Sequence, residues 1–218
     1  MADLRQLEVR RLGSVPYAEA LELQRGLIED RRAGRVPDLL LLLEHPHVLT
    51  VGVKGNGSNL LATADLLASR RVTLHQAGRG GDITYHGPGQ IVGYPIVDLR
   101  PDRCDVHRYV RDLEEVMIRV AGRYGIEAGR LAGLTGTWVG DDKLGAIGVR
   151  ISRWITSHGF ALNVSTDLDY FSLIVPCGIT GKGVTSLQRL LGRPVAIHEV
   201  ESVVAEEFAA VFDRTLGA

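Results

Sequence analysis

The 218-residue sequence predicts a mixed α/β (α+β) fold, one domain over 1–218 in which a largely hairpin-linked mixed sheet is flanked by helices. Three observations predict it. Segments near both ends and in the middle carry a helical apolar period, while the segments between them are short apolar runs of strand length. No internal repeat, low-complexity tract or Pro/Ser-rich linker divides the chain, and 45% hydrophobic residues suffice for one substantial core.

The elements follow in order. From Ser14 to Arg32, Tyr17, Ala20, Leu21, Leu27 and Ile28 keep a helical period, with Ser14 as cap, Pro16 in the first turn and Gly34 as stop. Leu39 to Leu43 is an unbroken apolar run between Pro37-Asp38 and Glu44-His45-Pro46, the pattern of a strand buried on both faces. Val72–Gln76 and Ile91–Leu99 read as strands around a long turn-rich connection, Gly78 to Gln90. A second helix runs from Val106 to Tyr124, capped by Asp105 and stopped by Gly125, with an apolar stripe through Tyr109, Leu113, Val116, Met117 and Val120. Thr137–Val139 and Leu144–Ile151 form a hairpin across Gly140 to Lys143, and Ile155–Val164 supplies another strand. The spacing of Val200, Val203, Val204, Phe208 and Val211 predicts a last helix over 197–212.

Composition narrows the function. A formal charge of -1 with 23% charged residues gives no global field for nucleic acid or a membrane surface. The start, Met1 to Arg11, lacks the basic and apolar regions of a signal peptide, and no run reaches membrane-spanning length, so the expectation is a soluble cytoplasmic protein. Two cysteines, Cys104 and Cys177, are too few for a disulfide framework and read as thiols. Only Lys54, Lys143 and Lys182 are lysines, against 25 basic residues in all.

The stretch from Gly78 to Gln90 packs five glycines with Arg79, Tyr85 and His86. Such a loop lets a backbone approach a ligand, although a long β-connection has the same composition. It is not a phosphate loop, since no Gly-Lys-Ser/Thr follows, and Gly181-Lys182-Gly183 lacks the hydroxyl as well. Cys177 precedes Gly178 in a loop, where a thiolate has room to attack an acyl carbon; a buried, inert cysteine is the alternative. Cys104, beside Asp105, is the weaker nucleophile. Lys143, Lys182, His86 and His158 are the candidate groups to favour a Cys177 thiolate, and Lys143, at the start of a strand, has the firmest placement. His45 and His47 lack companions at zinc-like spacing, so no metal site is expected.

Arg79 through Gln90 (RGGDITYHGPGQ) resembles the signature of the lipoyl(octanoyl) transferases. Glu44-His45-Pro46, Lys143 with Gly145 to Arg150, His158 to Asn163, Pro176-Cys177-Gly178 and Thr185-Ser186-Leu187 resemble that family in the same order, across nearly the whole chain. The resemblance implies the fold of biotin and lipoate protein ligase catalytic domains. It also implies transfer of octanoyl from acyl carrier protein to lysines on the lipoyl domains of 2-oxoacid dehydrogenases and on the glycine-cleavage H protein. By the same resemblance Cys177 is the acyl-thioester nucleophile and Lys143 its partner. Substrate binding falls to Arg79, Gly80, Gly81, Asp82, Ile83, Thr84, Tyr85 and His86, to Ala146, Ile147 and Gly148, and to Gly159, Phe160 and Ala161. Neither ATP nor another cofactor is implied, because a thioester already carries the free energy for an amide. The rival readings are an ATP-dependent lipoate or biotin ligase on the same fold, and a silent module that only holds lipoyl or acyl carrier domains.

Overall fold

The computed structural model describes residues 5–175 and 181–217. Its frame is a nine-stranded mixed sheet with helices on both faces. Strand β1 (Arg5–Ser14) pairs in parallel with β2 (Asp38–Glu44), and β2 pairs antiparallel with a distant strand over Gln90–Ile96. Helix α1 (Tyr17–Arg32) links the first two strands. Every residue of β2 from Leu39 to Leu43 is fully buried, because alternate side chains enter opposite cores. Leu39, Leu41 and Leu43 meet Ala20 and Leu27 of α1, whereas Leu40 and Leu42 join a larger core on the other face.

A smaller, three-stranded sheet comes next, with β3 (Val48–Val51), helix α2 (Ala64–Ser69), β4 (Thr73–Gln76) and β5 (Ile83–His86); β3 is its centre. The chain returns to the main sheet as β6 (Gln90–Ile96) and crosses to α3 (Val106–Arg123). Asp105 caps α3 by accepting from the N–H groups of His107 (2.8 Å) and Arg108 (3.1 Å). Strands β7 (Gly129–Leu131), β8 (Leu134–Val139), β9 (Asp142–Ser152) and β10 (Ile155–Asn163) complete one side of the sheet, and a short 3₁₀ turn follows at Leu168–Leu173. Beyond it lie β11 (Gly183–Val184), α4 (Leu187–Leu191), α5 (Ile197–Phe212) and β12 (Arg214–Leu216). Met117 and Val120 of α3 and Val204 and Phe208 of α5 cover the face opposite α1, against Leu40, Leu42, Phe160 and Leu162.

Three departures from the sequence reading have physical causes. Ser14 is the end of β1, paired with Glu44, and α1 begins at Tyr17 after Pro16 with no side-chain cap. The turn-rich stretch contains a strand, β5, all four of whose residues are buried. The hairpin turn is shorter than expected, since Val139 already opposes Asp142, and Lys143 therefore stands inside β9 rather than in the turn. No helix of the described residues is long and apolar enough to cross a membrane.

Candidate active site

Paired positions on β9 and β10 floor the site. Ala146 opposes Ala161 and Gly148 opposes Gly159. Residues directly opposite in a ladder share a face, so four small residues leave a trough between the sheet and the segments above it. Over it lie Arg79 and Gly81, Thr84 and His86 of β5, and Tyr17 from the first turn of α1; Val92 and Tyr94 of β6 extend the floor. The cleft holds about 470 Å³ of atom-free space, part of it open to solvent. A second cavity of about 340 Å³ adjoins it through the shared residues Thr84, Ala146 and Ala161 and is bordered by Lys143, Gln90, Asn163, Phe171 and Val184.

Lys143 is 8% exposed, with Nζ 4.7 Å from the centre of the Trp138 ring, a cation held over an aromatic face. Its alkyl stem passes over Gly136, where a Cβ would stand 3.4 Å from Lys143 Cε and 2.6 Å from the Gly145 carbonyl oxygen. Gly136 has a φ of +125°, open to glycine alone at low cost. Buried Glu114 of α3 fixes this part of β8 by accepting from the Gly136 N–H (2.9 Å) and from Arg130 Nε (3.0 Å). On its other side β9 is joined by β11: Val184 is in register with Lys143, and the Thr185 N–H donates to the Lys143 carbonyl at 3.0 Å. Lys182, the rival lysine, is ion-paired with Asp141 of the hairpin turn.

A chain of hydrogen bonds beside the second cavity ties β5, β6 and β10 to Thr185, the residue after β11. His86 Nδ1 lies 2.7 Å from Gln90 Oε1, Gln90 Nε2 donates to Asn163 Oδ1 (2.9 Å), and Asn163 Nδ2 donates to the Thr185 carbonyl (3.0 Å). The amide directions leave Gln90 Oε1 only as an acceptor, so His86 Nδ1 carries the proton and its Nε2 keeps a lone pair. The same reasoning applies to His45, whose Nδ1 must donate to the Val15 carbonyl (2.6 Å), leaving Nε2 to accept from the Tyr94 hydroxyl (2.7 Å). Burial is the main force that holds these imidazoles neutral. It lowers His86 to about 3, with help from His45 and against the Gln90 bond, and it lowers His45 to about 4. His158 is brought down to about 4 by burial first and then by the Arg79 and Arg150 cations.

The residues singled out in the sequence divide by direction. Thr84 and His86 face the cleft, whereas their β5 neighbours Ile83 and Tyr85 alternate into a separate core with Leu49 and Phe171, where the Tyr85 hydroxyl meets His47 Nδ1 (2.8 Å). Arg79 lines the cleft with its stem while its guanidinium donates to the Thr50 carbonyl (2.5 Å) and hydroxyl (2.8 Å). Gly80 attaches the loop to β9 through its N–H and the Val149 carbonyl (2.9 Å). Asp82 accepts from Asn59 with its carboxylate and from the Gly52 N–H with its carbonyl (3.0 Å), turned toward the neighbouring loop and away from the cleft. Ile147 and Phe160 border the cleft, yet their side chains belong to the core under α3 and α5; the Phe160 ring fills the space a Cβ would take at Gly93. Cys177 lies outside the described residues, whose one cysteine is Cys104, exposed, with Sγ 3.6 Å from the Leu99 carbonyl.

Tyr17, Val92 and Tyr94 line the cleft without having been singled out, as does Gln90 in the second cavity. The Tyr17 hydroxyl is buried and has no hydrogen-bond partner among the described residues. Local sequence holds no signal for such residues, because each reaches the cleft through long-range packing. Among the described residues no three His, Cys, Asp or Glu side chains gather as they do around a metal ion.

Residues 16–209 match the family described as the lipoyl protein ligase A/B catalytic domain. The chain is similar to proteins named octanoyltransferase from Solibacter usitatus, at 54% identity over 96% of this chain and 94% of the relative, and from Rubrobacter xylanophilus, at 54% identity over 94% and 93%. Among solved structures it is similar to the bi-partite lipoate protein ligase of Thermoplasma acidophilum, with a TM-score of 0.68, 18% identity, and 98% of this chain and 87% of that one covered. It is also similar to the biotin protein ligase of Aquifex aeolicus in complex with biotin and ATP, with a TM-score of 0.59, 13% identity, and coverage of 94% and 70%. At these identities the structural likeness concerns the fold.

Proposed function

Because the chain belongs to the lipoyl protein ligase A/B catalytic family, and to the octanoyltransferases within it, we propose that it moves an octanoyl group from acyl carrier protein through Cys177 to the lysine of a lipoyl domain. The observation that carries this reading is Lys143: a buried cation bordering the cavity that adjoins the cleft floored by Ala146, Gly148, Gly159 and Ala161, on a strand paired with the segment that follows Cys177. Val184 is seven residues beyond Cys177 in the sequence, and an extended chain advances roughly 3.3–3.6 Å per residue, so the connection is long enough for the thiol to reach the ammonium.

The proton balance closes on these two residues. With Lys143 as ammonium, Cys177 is held as thiolate. The thiolate attacks the carrier thioester, a C–S bond forms to Cys177, and the carrier sulfur leaves with a proton from Lys143. The neutral acceptor amine then attacks the acyl-enzyme; a C–N bond forms, neutral Lys143 takes the amine proton, and Cys177 leaves as thiolate. Thioester and amine become amide and thiol, with no ATP consumed. The acceptors in this reading are the lipoyl domains of 2-oxoacid dehydrogenases and the glycine-cleavage H protein.

The acyl tail is held by burial of methylenes, about 0.8 kcal/mol each. Small residues on the floor give it room, and the neutral imidazoles of His86 and His158 add no charge to its walls. Incubation of the protein and a lipoyl domain with octanoyl-carrier protein, and separately with octanoic acid plus ATP, tests the function. Amide formation from the first donor alone is the expected result. Activity from the second alone would establish the ligase reading, and binding of both proteins without product would establish the silent module.

A further inference from the structure

The face of the sheet that floors the cleft continues past it. After the pairs Ala146–Ala161 and Gly148–Gly159, the next pairs on that face are Arg150–Ser157 and Ser152–Ile155. The lining thus turns from small and apolar to polar and charged within two residues, roughly 7 Å of strand. This second stretch floors a cavity of about 1180 Å³ of atom-free space, part of it open to solvent, whose other walls include Gln24, Arg25, Glu29 and Arg32 of α1. Among the described residues, His158 alone borders both this cavity and the acyl cleft.

His158 holds that place through a local break in strand alternation. Its register partner is Val149, which packs toward the α3 and α5 core, but a φ of +53° turns His158 back, and its ring stands edge-on to Tyr94 at 6.2 Å. The adjacent Gly159 packs against Pro95, which has no N–H for the ladder. The His158 N–H donates to Gln24 Oε1 at 2.8 Å. Gln24 is 2% exposed, and its Nε2 has no acceptor among the described residues; nor has Arg32 Nε. Of the three guanidinium groups that border the cavity, Arg25 is paired with Glu22 (3.0 Å) and Arg32 with Glu29 (2.5 Å), which leaves the charge of Arg150 unmatched among the described residues. The unused Gln24 and Arg32 N–H donors and the Arg150 guanidinium suit a carboxylate.

We propose that His158 is the partition that sets acyl-chain length, and that the cavity behind it is a subsite for an ω-carboxylate on acyl chains longer than octanoyl. The proposal rests on the transferase reading. An extended chain advances roughly 1.2 Å per bond, so octanoyl spans about 9 Å and, with its carbonyl near Lys143, ends before the Arg150–Ser157 pair. The Lys143 stem ends beside Gly136 and Gly145, and from Gly145 to Val149, the partner of His158, is four residues, roughly 13 Å of strand; four further methylenes lengthen the chain to about 14 Å and bring its end to His158 and the cavity behind it. A methyl end there meets only Leu21, Ile28 and Ile155 among mostly polar walls, whereas a carboxylate has Gln24, Arg32 and Arg150 to engage.

The test compares octanoyl-, dodecanoyl- and dodecanedioyl-carrier protein as donors to a lipoyl domain. Dodecanedioyl is expected to transfer about tenfold faster than dodecanoyl, the effect of one or two charge-assisted hydrogen bonds. His158→Gly, which suits the left-handed backbone, should speed both long donors. Arg32→Gln combined with Arg150→Gln should lower dodecanedioyl to the dodecanoyl rate and leave octanoyl transfer unchanged. Equal rates for the two long donors with normal octanoyl transfer would overturn the subsite, and so would a dodecanedioyl preference that survives the double variant. Absence of octanoyl transfer itself would instead overturn the transferase reading beneath it.

Discussion

Val184 lies in parallel register with Lys143, and the Thr185 N–H closes on the Lys143 carbonyl at 3.0 Å. The strand that carries buried Lys143 is thereby coupled to the segment that follows Cys177 in the sequence, the two residues on which the proposed mechanism rests.

The two half-reactions should separate at Lys143. Arginine keeps the charge but gives up no proton near neutrality; the carrier sulfur can still leave as a thiolate and take its proton from water, whereas the acceptor amine loses its base. A Lys143→Arg variant is therefore expected to form the acyl-enzyme within about tenfold of the normal rate and to pass it to the lipoyl domain at least about 100-fold more slowly. Rapid-quench measurement of acyl-enzyme formation and decay checks this; normal decay would remove the proton-accepting role.

Gln90 and Asn163 should act as positioning residues. Asn163→Leu takes the Asn163 bond from the Thr185 carbonyl and leaves Gln90 Nε2 only the longer bond to the Tyr85 carbonyl (3.3 Å), which costs about 1–3 kcal/mol of stability. It also frees the chain that orients His86 Nδ1. Urea unfolding should show the loss of stability, and steady-state kinetics should show KM for the acyl donor rising more than kcat falls. A stability loss with unchanged kinetics would make the chain purely structural.

Gly148 allows a close approach, and its effect on substrate passes through Arg79. A Cβ there would stand 2.8 Å from Arg79 Cδ and 3.1 Å from the Gly80 carbonyl oxygen. Gly148→Ala must push the Arg79 stem into the cleft, at a cost of about 1–3 kcal/mol. Competition among hexanoyl, octanoyl and decanoyl donors should then shift toward the shorter chain; an unshifted profile would take Gly148 out of the acyl pocket.

The buried imidazoles should make folding sensitive to mild acid. His45, His86 and His158 stay neutral in the folded chain down to about pH 4, 4 and 3 in the order His45, His158, His86, while in the unfolded chain each takes up a proton below about pH 6.5. Between those limits the unfolded state binds more protons, so stability falls as pH drops from 6.5 toward 4. Each histidine adds a slope approaching 1.4 kcal/mol per pH unit, on the order of the linkage limit. Urea midpoints at pH 7, 6 and 5 measure it, and His158→Gly should flatten the slope by about one histidine's share.

Elements with a period of their own were legible. The stripe from Tyr109 to Val120, the Asp105 cap, the apolar run of β2 and the last helix all appear in the structure within a residue or two. β1 was hidden because its charged residues show no alternation, and it exists through backbone pairing with β2 and with the distant β12. β5 was hidden between two glycine clusters, which set its ends while its four residues carry the burial. The polar lining was legible at Lys143, His86 and His158, whose types are rare in buried positions. Tyr17, Gln24 and Tyr94 were not, since their roles depend on where α1 and β6 meet the site.

The thioester on Cys177 is the centre of the account, and intact-protein mass spectrometry after a brief incubation with octanoyl-carrier protein, without acceptor, tests it most directly. A single octanoyl adduct is expected, mapped to Cys177 by peptide analysis, discharged on addition of a lipoyl domain, absent in Cys177→Ser and strongly slowed in Lys143→Ala. Turnover of the lipoyl domain by Cys177→Ser at the normal rate, or an adduct on any other residue, would contradict the account.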